Sequence, residues 1–335
     1  MKEQQKIKKI ALVTALLTLV LVGLGGYVRA TGAGLACPDW PLCFDKFVPK
    51  MRYGVVQEVM HRYLALVVSI LIAVMSWKVF KLGPAFKSLR KFSIGLLGIL
   101  GVQVVLGGLT VLMLLNPYIV TAHLACGTII VQLLLLLSME KTGEVRESPS
   151  PENDSYMAKL LYFMSGLVYL QILLGGFVGS SGASMACPDI PFCQGQLYSA
   201  TFNGPQLIQM LHRANGILIA FAALVCFLKA RQLQPALGIK PGHMVAMMVM
   251  IWIQISLGFA NVVMSIPVAP AVTHLVLAQL ILFGYLVPAR RLSGKKFFGK
   301  KLAPTNQTSS GTSTPLQGLE DSTVQTVQLR RAANA

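Results

Sequence analysis

ACPDWPLC, at residues 36–43, returns as ACPDIPFC at residues 186–193. Two cysteines bracketing Pro-Asp-x-Pro form too specific a pattern to arise twice independently, so one copy derives from the other. The separation of 150 also carries Gly25-Gly26 onto Gly175-Gly176. Past the loop it becomes 151, and His61 maps to His212, Arg62 to Arg213, Gln103 to Gln254, Gly107 to Gly258 and His123 to His274. The chain is a tandem duplication.

The duplicated unit has the composition of a membrane protein. Of 335 residues, 54% are hydrophobic and only 12% charged, and the apolar residues gather in runs long enough to cross a hydrocarbon core. Hydropathy predicts eight spans, at about 10–29, 58–77, 92–114, 118–139, 160–179, 206–228, 243–264 and 270–288. The expected fold is an all-α integral membrane protein, two tandem four-helix bundles. Because four is even, both copies insert in one orientation, and a pseudo-twofold axis along the membrane normal is expected. The domain boundaries follow as an N-terminal bundle 1–141, a linker 142–158, a C-terminal bundle 159–301 and a polar tail 302–335 expected to be disordered.

A formal charge of +17 raises the possibility of nucleic acid binding, but its placement argues for topology. Lys and Arg cluster in residues 2–9, 78–91, 141–159, 229–240 and beyond 290. These segments alternate with loops poorer in basic residues, so the positive-inside rule places both termini on the cytoplasmic side and the cysteine loops outside. The first span is too long for a signal-peptide core and ends in no Ala-x-Ala site, so an uncleaved helix is expected. The lack of an Arg- and Ser-rich presequence points to a bacterial plasma membrane rather than an organelle.

His61, His123, His212 and His274 each open an even-numbered span, with 62 residues between the members of each half. A histidine in a membrane helix is costly and usually functional, and an ordinary interhelical hydrogen bond would not predict this pairing and repetition. Two imidazoles on facing helices suit a haem iron with two axial ligands better than zinc, which takes four. Two pairs predict two haem sites. His243 maps to Phe92 and is assigned to the membrane surface with no ligand role. Arg62 and Arg213 follow ligand candidates and could pair with haem propionates or anchor the interface. Glycines of the third span, Gly95, Gly98, Gly101, Gly107 and Gly108, are read as sites of close helix approach.

An outward position exposes both cysteine loops to an oxidising compartment, and the disulfides Cys37–Cys43 and Cys187–Cys193 are predicted. Closing seven residues removes unfolded-state entropy worth about 2–2.5 kcal/mol. A metal site would need ligands these loops lack, and a redox-active role for the first pair is the alternative to a staple. Cys126 and Cys226 map onto Leu277 and Met75 and read as buried apolar thiols.

The halves diverge one turn before the first histidine, where Glu58 stands against Gln209. A carboxylate takes protons and stabilises positive charge, and an amide does not. The first half therefore reads as reactive and the second as a carrier, unless Glu58 is an ordinary interfacial carboxylate. Arg29 against Gly179 points the same way, as do Lys46, Lys50 and Arg52 in the first loop.

The stretches GGYVRATGAGLACPDWPLC (25–43), QEVMHR (57–62), TAHLACG (121–127), ACPDIPFC (186–193), QMLHR (209–213) and VTHL (272–275) resemble the haem A synthase family over all eight spans. The resemblance implies oxidation of a methyl group of haem O to a formyl group, giving haem A for cytochrome oxidase. By that likeness His61 and His123 hold haem O, Glu58 is the catalytic residue, and His212 and His274 hold a haem b that relays electrons. Arg29, Arg62 and Arg213 are the propionate candidates. The implied partners are membrane lipid, a haem O synthase (protohaem farnesyltransferase) and an electron-transfer partner, with no nucleic acid. The source of the formyl oxygen, water or O2, stays open. The rival is a di-haem b electron-transfer cytochrome, which predicts equivalent sites. A repeat-built transporter would want polar or broken helices at the midplane, where these spans are uncharged.

Overall fold

The computed structural model describes residues 2–82, 86–139, 151–237, 239 and 241–294. It forms eight helices: α1 (Lys2–Ala30), α2 (Val55–Phe80), α3 (Lys87–Leu112), α4 (Pro117–Ser138), α5 (Pro151–Ser180), α6 (Gly204–Leu237), α7 (Pro241–Val263) and α8 (Val268–Leu292). All eight are long and apolar enough to cross a membrane, and among the described residues no strand joins them. The chain is an all-helical, multi-pass membrane protein. Helices α1, α2, α5, α6 and α8 outrun the predicted spans, whereas α3, α4 and α7 end one or two residues before theirs. α5 starts within the segment expected as linker, with Pro151 at a position that needs no N–H. Residues 140–150, the rest of that linker, and the tail from 295 lie outside the described residues.

Local chemistry sets the helix ends. Asn116 accepts from the Tyr118 N–H at 3.0 Å to cap α4. Asn203 and Gln206 cap α6 reciprocally, at 2.9 and 3.0 Å. The α3–α4 turn carries Leu114 and Leu115 at positive φ, and the α7–α8 turn repeats this at Ser265 and Ile266. The Leu115 and Ile266 N–H groups close the turns on the Thr110 and Asn261 carbonyls, at 2.8 and 2.7 Å. Each short turn folds α4 or α8 back along its predecessor.

Each half has its own apolar core. One gathers Ile7, Ile72, Leu89, Leu96 and Leu134 from α1–α4, the other Met157, Leu161, Met164, Ile251 and Tyr285 from α5–α8. The halves meet where α1 packs on α8 and α4 on α5 and α8. Lipid leaves helices little hydrophobic reason to associate, so such contacts rely on small residues and hydrogen bonds. Leu275 lies where a Cβ on Gly26 would sit, at 2.9 Å, and Leu124 does the same at Gly176, at 2.5 Å. Gln279 donates to the Thr128 hydroxyl at 3.0 Å, and Gln132 donates to the Gln279 carbonyl at 3.1 Å, all three buried. Outward faces carry Leu16, Val20, Ile70, Ile94, Val105, Phe221 and Trp252, as a lipid-facing surface should.

Three expectations need correction. Gly95, Gly98 and Gly101 meet nothing within 4 Å. α3 packs on α2 and α4 alone among the well-contacted helices, and this stretch of glycines faces away from both. Gly107 and Gly108 do receive neighbours, the His123 and Trp40 rings. His243 is not simply at the surface: its Nε2 lies 2.8 Å from the Gly284 carbonyl of α8. That carbonyl lacks its helical donor because Pro288 stands four residues on. Cys226 is buried as expected, whereas Cys126 is only partly so.

Candidate functional site

Each of the four histidines lies against a glycine on the preceding helix. A Cβ at Gly25 of α1 would come within 3.1 Å of His61 Nε2, and one at Gly107 of α3 within 3.2 Å of His123 Cε1. The second half repeats this with Gly175 and His212 at 3.0 Å, and Gly258 and His274 at 3.4 Å. A side chain at Gly25, Gly107 or Gly175 would press on the ring, and one at Gly258 would reach contact with it. Within each half the two imidazoles are in electrostatic reach of each other, His61 of His123 and His212 of His274.

The Nδ1 atoms of His123, His212 and His274 are buried without a hydrogen-bond partner. Orphaned buried polar atoms cost about 1–3 kcal/mol each and mark places where something else binds. Among the described residues no group of three or more His, Cys, Asp or Glu could hold a metal ion. Paired, half-buried imidazoles with no third protein ligand among the described residues fit a haem iron with two axial histidines, and they do not fit a closed zinc site.

Glutamines support three of the four histidines. Gln103 Nε2 lies 3.3 Å from His123 Nε2. Gln254 donates to the His274 main-chain carbonyl at 2.9 Å. Gln171 Nε2 lies 3.3 Å from His212 Nε2 and donates to its main-chain carbonyl at 3.0 Å. The repeat flagged Gln103 and Gln254 as counterparts but not this role, and Gln171 carried no repeat signal because its counterpart is Leu21. A glycine four residues after the histidine was the missed clue. Gly127 and Gly216 follow His123 and His212, and a Cβ there would meet Gln103 Nε2 at 3.2 Å and Gln171 Nε2 at 3.4 Å.

Both predicted disulfides form, Cys37–Cys43 and Cys187–Cys193. Each loop is bolted to the helix that carries the first histidine of its half. Glu58, 5% exposed, accepts from the Cys37 N–H at 2.8 Å and pairs with Arg62 at 2.5 Å. Gln209 accepts from the Cys187 N–H at the same 2.8 Å and donates to the Ser184 carbonyl at 3.0 Å. Glu58 and Gln209 thus share a loop-holding role that the contrast between them concealed in the sequence. Arg62 donates to the carbonyls of Asp39, at 2.8 Å, and Leu42. Arg213 donates to those of Asp189, at 2.7 Å, Phe192 and Cys187. Both propionate candidates therefore commit N–H groups to the loops. The third, Arg29, donates to the Gly179 carbonyl of α5 at 3.2 Å. Trp40 leans from the first loop onto Gly108, whose Cβ would come within 3.1 Å of the indole, one residue beyond the cradle of His123. The second half has Ile190 and Phe259 in these places.

Inside each loop an aspartate ties the turn. Asp39 accepts from the Phe44 and Asp45 N–H groups at 2.7 and 2.8 Å, and Asp189 from those of Gln194 and Gly195 at 2.9 and 2.8 Å. The N–H of Asp45, helped by that of Phe44, holds the Asp39 carboxyl below the usual carboxylate range, and Gly195 and Gln194 do so for Asp189. A depressed folded pKa stabilises the loop above the ordinary aspartate value of about 3.9 and loses that stabilisation as pH falls through the lowered value. Amide exchange at Phe44 and Asp45 should accordingly stay slow into the ordinary carboxylate range and accelerate only below it. Acceleration already at about pH 5 would count against the tie.

A family model described as cytochrome oxidase assembly protein, COX15-CtaA, matches residues 8–53 and 52–286, and so takes in all four cradled histidines and both disulfide loops. The chain belongs to the COX15-CtaA family. Among similar proteins, the heme A synthase of Shewanella oneidensis is 29% identical, covering 82% of this chain and 94% of that protein. The heme A synthase of Bacillus pumilus is 32% identical over 62% of this chain and 68% of its own length. That of Shouchella clausii is 29% identical over 66% and 75%.

Proposed function

We propose that this chain is a haem A synthase, an oxidoreductase that converts the methyl group of haem O into the formyl group of haem A. What carries the proposal is the likeness to heme A synthases along 94% of the length of one of them, together with two pairs of glycine-cradled histidines suited to axial ligation. His61 and His123 hold the substrate, haem O. His212 and His274 hold a haem b, which when bound supplies one-electron relay. The halves are an N-terminal substrate bundle and a C-terminal cofactor bundle related by an axis along the membrane normal. The termini lie on the cytoplasmic side of a bacterial plasma membrane and the disulfide loops outside, in keeping with the positive-inside rule. A haem O synthase supplies the substrate, and an electron-transfer partner takes up the electrons.

Turning a methyl into a formyl group removes four electrons, adds one oxygen and releases protons. Glu58 is the group in the first half suited to proton handling, three residues before His61 on the same helix face. Arg62 holds that carboxylate in place and ties it to the loop, and Trp40 covers the helix that cradles His123. Arg29 is the propionate candidate whose guanidinium makes the fewest bonds in the structure, a single one to Gly179.

Purification from a host that makes haem O, followed by extraction and identification of the bound haems, tests the proposal. Haem b together with haem O or haem A is the expected result. Two haems b per chain, with neither of the others, would instead make the protein an electron carrier.

A further inference from the structure

The two pairs of histidines are joined across the boundary between the halves. Leu124 follows His123 directly, yet its side chain packs against the core of the second half. Its Cδ2 lies 2.5 Å from where a Cβ on Gly176 of α5 would sit, and no other helix comes within 4 Å of that point. Gly176 in turn follows Gly175, the cradle of His212. The other half sets out the same arrangement in reverse. Leu275 follows His274, and its Cδ2 lies 2.9 Å from a Cβ on Gly26 of α1, next to Gly25, the cradle of His61. The second histidine of each half is thus peptide-bonded to a leucine that presses on the helix cradling the first histidine of the other.

The two contacts are counterparts, since Gly26 matches Gly176 and Leu124 matches Leu275. Both copies keep the glycine gap and the leucine that fills it, although their surroundings have diverged. Beside the α1–α8 contact, Val276 lies 3.2 Å from a Cβ on Gly23. The matching residues between α4 and α5 are Ala125 and Leu173, and there Tyr169 donates to the Ala125 carbonyl at 3.4 Å instead. Helices in lipid hold together by such van der Waals fits, because the surrounding tails are as apolar as leucine. Close-packed contacts transmit strain and do not absorb it. A shift of α4 that carries His123 therefore moves Leu124 against Gly176, and with it the glycine on which His212 lies.

We infer that Leu124 and Leu275 are positioning residues that act across the boundary: Leu124 seats the cradle of His212 and Leu275 that of His61, so that each haem site is completed by the opposite half. The inference rests on the two-haem reading above and deepens it. A reaction that draws electrons from a substrate in one half and passes them to a relay in the other needs the two sites held in a fixed relation. Contacts that run from ligand to cradle in both directions supply it.

The test reads the low-spin ferric electron paramagnetic resonance signal of each haem in the loaded, detergent-solubilised protein, with the signals assigned by their loss in His61→Ala and His212→Ala. Leu124→Ala should shift the second-site signal, although it stands beside a first-site ligand, and Leu275→Ala should shift the first-site signal. Gly176→Val should shift the first-site signal from the second half, because valine's branches cannot rotate away and push Leu124 and His123 together. The swap Gly176→Val/Leu124→Ala keeps the number of side-chain carbons and should return both signals to wild type, as volume-conserving exchanges are tolerated best. A purely structural role would lower the yield of loaded protein and leave its signals where they were. Leu124→Ala only removes atoms and stays readable if Gly176→Val fails to fold. An unmoved second-site signal in Leu124→Ala, an unmoved first-site signal in Leu275→Ala or Gly176→Val, or a swap that keeps the Gly176→Val shift would each overturn the inference alone. Histidine variants that retain both haems would overturn the two-haem reading and the inference with it. The identity of either haem does not enter, so a protein holding only haem b tests the contacts equally.

Discussion

Glu58→Gln should fold, close both disulfides, bind haem at both sites and fail to make haem A. The second half shows why the fold should survive. Gln209 already makes the bond that Glu58 makes, to the N–H of the first loop cysteine at 2.8 Å, and its NH2 finds the Ser184 carbonyl. The position matching Ser184 is Gly34, whose carbonyl can serve the introduced amide likewise. Arg62 would lose its ion pair, and breaking a buried pair costs about 3–5 kcal/mol when the remaining charge is stranded. Arg62 is not stranded, since it keeps the Asp39 and Leu42 carbonyls and can take that of Cys37 as Arg213 takes that of Cys187.

The substitution thus converts the first loop anchor into the second and removes only the carboxylate. General acid–base groups contribute about 10²–10⁴-fold to rate, so haem A formation should fall by that much while haem O accumulates on the protein. Extracted haem composition and free-thiol counts measure both halves of the statement. Haem A at more than a tenth of the wild-type yield would reduce Glu58 to a loop anchor.

Gly175→Val should cost the protein its second haem and leave the first in place, and Gly25→Val should do the reverse. A Cβ at Gly175 would already sit 3.0 Å from His212 Cε1, tighter than nearly all real side-chain contacts, and valine adds two branches that cannot rotate away. The ring cannot retreat freely, because Gln171 holds its nitrogen and its main chain. Overpacking of this kind costs about 1–3 kcal/mol, and the strain falls on the ligand itself. Haem-to-protein ratios, with each haem identified after extraction, should show one species lost per variant. Both variants retaining both haems would mean that the cradled histidines do not bind them.

Much of this protein was legible in one dimension. The eight spans could be read because a helix must be apolar along its length to cross lipid, a property that each segment carries by itself. The duplication, the four histidines and both disulfides could be read because a repeat with fixed offsets needs no coordinates. The halves' divergence at Glu58 and Gln209 was visible as well, and so was the chemical contrast between them.

Tertiary packing decided what that divergence does besides chemistry, since only the folded loop shows both side chains holding a cysteine N–H. It also separated the glycines. Gly107 cradles a histidine while Gly95, Gly98 and Gly101 touch nothing, a difference set by the rotation of α3 about its own axis, to which hydropathy is blind. Gln171 escaped notice for the same reason. In sequence it is one amide in an apolar run, and its meaning comes from facing His212 across α5 and α6, with Gly216 leaving the gap. The duplicated sequence determined which elements exist and which residue types they carry twice. The packing of helices within and between the halves decided which glycines cradle a ring and which histidines meet a glutamine amide, because a hydrogen bond depends on where two helices bring their side chains together.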